Sequence, residues 1–265
     1  MQNVLFYSDF KVKYFSLYLL FLNSKKNILS KTHNVNTGYK IYSKPLLISY
    51  PRSGTNWIRY VIEYLTNRPT PGENRLVRGH KPWFRLLNGG YIVDRAHNAQ
   101  SIINNYSKIV LILRNYKECF LRQFQKQRAD FNSVSDLLLD ENLHTPCSWY
   151  INNIKAFEEF KGAKKKLYFE DMINKPLEFI DDLVEFLDLP TKKLNHLKEN
   201  LSEHQNNSVG LYTKRGKKSF TNGNKNNLKL HSSSLSKSQL LEFDNFYLSN
   251  FPNITNKYLE RYLEG

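Results

Sequence analysis

Residues 45–57 read PLLISYPRSGTNW. Pro45 to Tyr50 is a short apolar run bounded by Pro51, the length and composition of a buried strand. Arg52-Ser53-Gly54-Thr55 turns the chain. Trp57, Tyr60, Val61, Tyr64 and Leu65 then recur at helical spacing. A strand, a Gly-containing turn and a helix in that order bring backbone N–H groups and a helix N-terminus onto one point, where an anion can sit. Gly54 permits close approach, Ser53, Thr55 and Asn56 carry side-chain donors, and Arg52 adds a full charge. No Gly-Lys-Ser/Thr ends the turn, so the loop is not that of a magnesium-dependent NTPase.

The same alternation continues outward. Asn74–His80 and Ile109–Leu113 are expected strands, and Lys166–Phe169 is a third strand-like run. Helical spacing predicts helices over Cys119–Gln127, Ser148–Phe160, Pro176–Leu187 and Ser236–Phe251, with Pro176 in the first turn of its helix. Strands alternating with helices predict an α/β fold, a three-layer sandwich with a central parallel sheet. Residues 202–235 are rich in Asn, Ser, Lys and Gly and read as a long loop. The expected organisation is an N-terminal helix and connecting segment over 1–44 and one domain over 45–265.

The chain has 39 Lys and Arg against 24 Asp and Glu, a formal charge of +15. That sign favours polyanionic partners without choosing among phosphorylated cofactors, acidic glycans, nucleic acid or a membrane surface. Cys119 and Cys147 are the two cysteines. Neither a disulfide framework nor a metal-spaced Cys/His cluster is expected, which favours a reducing compartment, the cytoplasm. Tyr14–Leu22 is apolar but well short of the roughly 18–20 residues a spanning helix needs. Residues 10–26 read first as a helix packed on the domain and second as a membrane-surface contact.

Four further segments follow the loop in order. Arg78-Gly79-His80-Lys81-Pro82 places a histidine at the end of an expected strand. Arg114-Asn115-Tyr116-Lys117-Glu118 directly follows the strand Ile109–Leu113. Tyr168-Phe169-Glu170-Asp171 follows the third strand, and Lys214-Arg215-Gly216 lies inside the polar loop. With Tyr50-Pro51-Arg52-Ser53-Gly54-Thr55-Asn56-Trp57, this series resembles the PAPS-dependent sulfotransferases, whose donor is 3′-phosphoadenosine 5′-phosphosulfate. The resemblance runs from about Leu46 to the C-terminus and implies a P-loop nucleotide-kinase-like fold.

It further implies that Arg52 stands where the family has a Lys at the oxygen bridging phosphate and sulfate. Ser53, Gly54, Thr55 and Asn56 would hold the 5′-phosphate, and Trp57 would stack on adenine. Arg114 would bind the 3′-phosphate, with Arg122 in the place of a family Ser. Phe169 replaces a Tyr beside adenine. Lys214, Arg215 and Gly216 would close over the 3′-phosphate. His80 would be the general base, a task suited to imidazole, and Arg78 would lie near the transferring group. Glu170 and Asp171 are expected to orient loops, and the other six histidines to be structural.

The expected reaction is transfer of a sulfuryl group to an acceptor hydroxyl without a metal. A carbohydrate is the first choice of acceptor, and a small lipid or phenol the second. A P-loop phosphotransferase is disfavoured by the missing Lys-Ser/Thr pair. A non-catalytic nucleic-acid-binding protein is the other alternative, disfavoured by scattered charge and the lack of a recognition motif.

Overall fold

A computed structural model of the chain describes residues 44–72, 76, 91–127, 133–213 and 235–264. Four strands form one sheet: β1 (Leu46–Ser49), β2 (Asp94–Ala96), β3 (Lys108–Leu113) and β4 (Ala163–Tyr168). Their order is β2-β1-β3-β4 and every pairing is parallel. Leu46 pairs with Asp94 on one side and Ile109 on the other, and Ser49 pairs with Ile112. The strands β1 and β3 are buried on both faces, which is why each reads as an unbroken apolar run.

Helices cover both faces. Leu47, Val110, Ile112 and Leu167 pack against α1 (Thr55–Thr66) and against Phe179, Ile180, Leu183 and Val184 of a later helix, Pro176–Leu187. Leu46, Ile48, Ile109, Leu111 and Leu113 face the opposite layer. That layer comprises α2 (Tyr116–Gln127), α3 (Val134–Leu139) and α4 (Ser148–Glu159), together with aromatics near the C-terminus. The expected α/β sandwich with a central parallel sheet is the fold found.

The chain continues through α5 (Phe169–Asn174), α6 (Pro176–Leu187), α7 (Leu194–Glu199), α8 (Leu201–Thr213) and α9 (Lys237–Asn250). Ser236 and Gln239 form a reciprocal capping box that starts α9. Pro176 opens α6, and Asp188, in the left-handed region at φ 53°, closes it.

Two expectations change, and one strand is new. The strand preceding β3 is Asp94–Ala96, a three-residue strand with two charged residues. The expected strand Asn74–His80 lies outside the described residues apart from Leu76. The segment 202–213 is not loop but the body of α8. It is helical because it docks on α1: His204 is buried, and its Nδ1 lies 2.9 Å from the Tyr60 hydroxyl. The rest of the expected loop, 214–234, lies outside the described residues, as do residues 1–43. Phe169, assigned to a strand by sequence, begins α5 instead.

Candidate nucleotide site

In a sheet ordered β2-β1-β3-β4, the chain leaves β1 for one side and returns to the other. Loops at the carboxyl ends of β1 and β3 therefore diverge and leave a crevice, where open α/β sheets bind ligands. The loop after β1 carries Arg52, and the loop after β3 carries Arg114.

The first loop is held from within. Ser49 and Thr55 share a hydrogen bond of 2.7 Å between hydroxyls, and Ser53 Oγ lies 3.4 Å from Cys119 Sγ. The Tyr50 hydroxyl donates to the Thr145 carbonyl at 3.0 Å. Ser53 and Thr55 are buried with their hydroxyls engaged, and the Ser53 N–H donates to the Tyr50 carbonyl at 3.3 Å. Arg52, Gly54 and Asn56 are half-buried.

Arg52 and Gly54 both lie in the left-handed region, at φ 76° and φ 79°. For Arg this conformation is costly, and such strain persists where surroundings enforce it. Gly54 is required twice over, because a Cβ there would meet Phe169 Cδ2 at 2.5 Å. Helix α1 starts at Thr55 with no side-chain cap. The Trp57 N–H donates to the Gly54 carbonyl at 3.0 Å, and the amides ahead of it, at Thr55 and Asn56, can serve a ligand.

Three guanidinium groups converge on this loop. Arg114 is buried; its Nη1 donates to the Arg52 carbonyl at 2.7 Å, and its plane lies 4.0 Å from the Phe169 ring centroid. Burial, then the neighbouring charges of Arg122 and Arg114, pull the Arg52 guanidinium below its ordinary value. Burial likewise lowers Arg114. Arg122 donates to Glu118 at 3.1 Å. Cys119, beneath the loop, is pushed up to about 12 by burial, against the lowering effect of Arg114, and stays a thiol.

Trp57 is 8% exposed and stacks on Tyr60 at 5.4 Å, while Tyr60 stacks on Tyr64. The Trp57 indole N–H is buried without a hydrogen-bond partner among the described residues. Clustered arginines, an uncapped helix start and an orphaned indole donor fit a phosphorylated nucleotide.

Thus the structure brings Arg52, Ser53, Gly54, Thr55, Asn56, Trp57, Arg114, Arg122 and Phe169 to one crevice. His80 and Arg78 lie outside the described residues, as do Lys214, Arg215 and Gly216. The chain is pinned shortly before His80, where buried Glu63 accepts the Leu76 N–H at 2.7 Å and the Thr70 N–H at 2.9 Å.

Sequence reasoning took His97 as structural. It follows β2, beside the end of β1, and its Nδ1 lies 2.7 Å from the Ser49 carbonyl oxygen. A carbonyl only accepts, so Nδ1 bears the proton and the lone pair of the neutral ring is on Nε2. A lone histidine after a polar run carried no signal in sequence. Glu170 and Asp171 do orient neighbours: Glu170 accepts from the Asn115 N–H at 3.1 Å, and Asp171 pairs with Arg261 at 2.8 Å.

Among the described residues, no group of three or more His, Cys, Asp or Glu is placed to hold a metal ion, and no helix is long and apolar enough to cross a membrane.

Comparison with known proteins places this chain in a family. A profile described as "Sulfotransferase domain" matches residues 43–254. A WSCD family member of Aedes aegypti is 22% identical over 180 residues, covering 61% of this chain and 57% of that protein. The chain thus spans little more than half of that relative. The crystal structure of mouse sulfotransferase SULT7A1 complexed with PAP superposes with a TM-score of 0.57 at 15% identity, over 81% of this chain and 87% of that one. That likeness is one of fold. With four-fifths of its length inside the profile, this chain belongs to the family of PAPS-dependent sulfotransferases.

Proposed function

We propose that the protein moves a sulfuryl group from PAPS to an acceptor hydroxyl. The observation that carries the reading is the bond from Arg114 to the Arg52 carbonyl, which ties the two anion-binding loops into one crevice. Arg52 and the start of α1, from Gly54 to Asn56, hold the 5′-phosphate, with Ser53 fixing the loop. Arg114 and Arg122 take the 3′-phosphate. Trp57 and Phe169 flank the adenine, and Lys214, Arg215 and Gly216 close over the 3′-phosphate.

Bound PAPS supplies the sulfuryl group. A histidine removes the acceptor proton as the acceptor oxygen bonds to sulfur and the bond from sulfur to the bridging oxygen breaks. Arg52 and the loop amides stabilise the charge that builds on that bridging oxygen; fixed donors of this kind are commonly the largest catalytic contribution. His80 is the proposed base, with Arg78 near the transferring group. His97 is a second reading, favoured by its fixed tautomer at the end of β2.

A carbohydrate hydroxyl is the proposed acceptor, supported by the +15 charge, which suits polar or acidic chains. Small lipids and phenols are the second class. Transfer of label from PAPS to a panel of glycans, lipids and phenols tests both levels. Label on any acceptor supports the reaction, and label on glycans supports the acceptor. No transfer and no affinity for adenosine 3′,5′-bisphosphate, with salt-sensitive binding to DNA or RNA, would replace the proposal by nucleic-acid binding.

A further inference from the structure

Around Arg114-Asn115-Tyr116-Lys117 the polar groups close a ring that the proposed chemistry does not use. The Asn115 N–H donates to one oxygen of Glu170 at 3.1 Å, and the Tyr262 hydroxyl donates to the other at 2.6 Å. The Tyr262 carbonyl accepts from Lys117 Nζ at 2.9 Å. Lys117 is fully buried and also reaches Asp244 at 2.8 Å and Glu264 at 3.1 Å. Asp244 accepts from the Tyr116 hydroxyl as well, and from the Glu264 N–H at 2.8 Å. On the other side, the Tyr150 hydroxyl donates to the Arg114 carbonyl at 2.8 Å. The turn is therefore gripped at every residue, and Tyr262 joins two of the grips. Burial raises the Tyr262 phenol far above its ordinary value, so it remains a donor.

We infer that Tyr262 and Glu170 are positioning residues that hold Arg114 in register with the first loop, and so make the site select nucleotides bearing a 3′-phosphate. The inference rests on the reading of Arg114 given above. One N–H of Arg114 is already committed to the Arg52 carbonyl, so a shift of the turn cannot be absorbed by the guanidinium without breaking that bond. A 5′-phosphate is held by the amides at the start of α1, and the turn reaches that loop through the Arg52 carbonyl. Loosening the ring should therefore cost more affinity for the 3′-phosphate than for the 5′-phosphate.

The test is calorimetric titration of the full chain with adenosine 3′,5′-bisphosphate and with AMP. Tyr262→Phe removes one hydroxyl and is expected to weaken the bisphosphate about fivefold to tenfold, the scale of one ordinary net hydrogen bond. AMP affinity stays within about twofold on the same reasoning. Glu170→Leu should act similarly, with Glu170→Gln, which keeps an acceptor for Asn115, recovering most of the preference. Equal weakening of both ligands, or none in either variant, overturns the positioning role. Should Tyr262→Phe fail to fold, the Glu170 pair carries the test alone. Arg114→Ala separates the two levels. If it keeps the preference for the bisphosphate, the 3′-phosphate reading itself fails. If it loses the preference while Tyr262→Phe keeps it, only the positioning inference fails.

Discussion

Arg114 donates to the backbone carbonyl of Arg52 across 62 residues of sequence, so the loop after β3 and the loop after β1 are joined by one hydrogen bond of 2.7 Å. The bond uses a side chain on one loop and main chain on the other. The Arg52 backbone lies in the left-handed region, at φ 76°.

That strain makes Arg52→Gly a separating substitution. Glycine tolerates the left-handed conformation that costs an L-residue about 1–2 kcal/mol, and the change removes one of three clustered guanidiniums. We expect thermal unfolding to shift upward by a few degrees, at about 2–4 °C per kcal/mol for a domain of this size. Turnover should fall in the same variant. A melting curve and a transfer assay on one preparation check both halves.

His80→Ala is expected to lower kcat by about 10²–10⁴-fold, the range for a general base. His97→Ala should lower it by less than about tenfold if His97 only braces the Ser49 carbonyl with one hydrogen bond. The acid limb of the kcat/KM profile should disappear with whichever histidine takes the proton. The reverse pattern moves the role to the end of β2.

Lys117 and Asp244 form a buried pair, 0% and 4% exposed at their side chains. Asp244→Ala leaves the buried ammonium with the half-exposed Glu264 carboxylate and the Tyr262 carbonyl, and is expected to destabilise by up to about 3–5 kcal/mol. Lys117→Met with Asp244→Leu should cost less than Asp244→Ala alone, since replacing both ions by apolar groups is often near neutral. Denaturant titrations of the single and double variants measure the difference.

Gly210 lies inside α8, and a Cβ there meets nothing within 4 Å. Gly210→Ala should stabilise the protein by about 0.5–1 kcal/mol, read from a denaturant midpoint with unchanged slope.

Both thiols are free and buried. Burial raises Cys119 from 9.0 to about 12, so the folded state holds its proton longer than the unfolded chain does. The stability linked to this group is full below about pH 9 and is lost as pH rises toward about 12. Cys119→Ala should flatten alkaline unfolding over that window, and iodoacetamide at pH 8 should label the native protein slowly at both cysteines.

The parts legible in sequence were those whose burial is written in contiguous residues. Leu46–Ser49 and Lys108–Leu113 are covered on both faces and so read as apolar runs. The two loops of the crevice directly follow them. Asp94-Arg95-Ala96 escaped notice because a three-residue strand with two charged residues has no such run. Helix α8 escaped because Asn206, Asn207 and Gly210 weaken local helix preference, while its docking through His204 and Tyr60 is tertiary. The supports of the site were the least readable: Asp244 lies 127 residues beyond Lys117, and Tyr262 lies 92 beyond Glu170.

Those separations also set an order for synthesis on the ribosome. When the turn after β3 emerges, the ammonium of Lys117 has no carboxylate to meet, and it cannot enter the apolar layer alone. At translation rates of about 5–20 residues per second, Asp244 follows only after many seconds. The half-made sheet must wait with its central turn unfinished, and that turn is completed only when the chain has emerged through Tyr262 and Glu264.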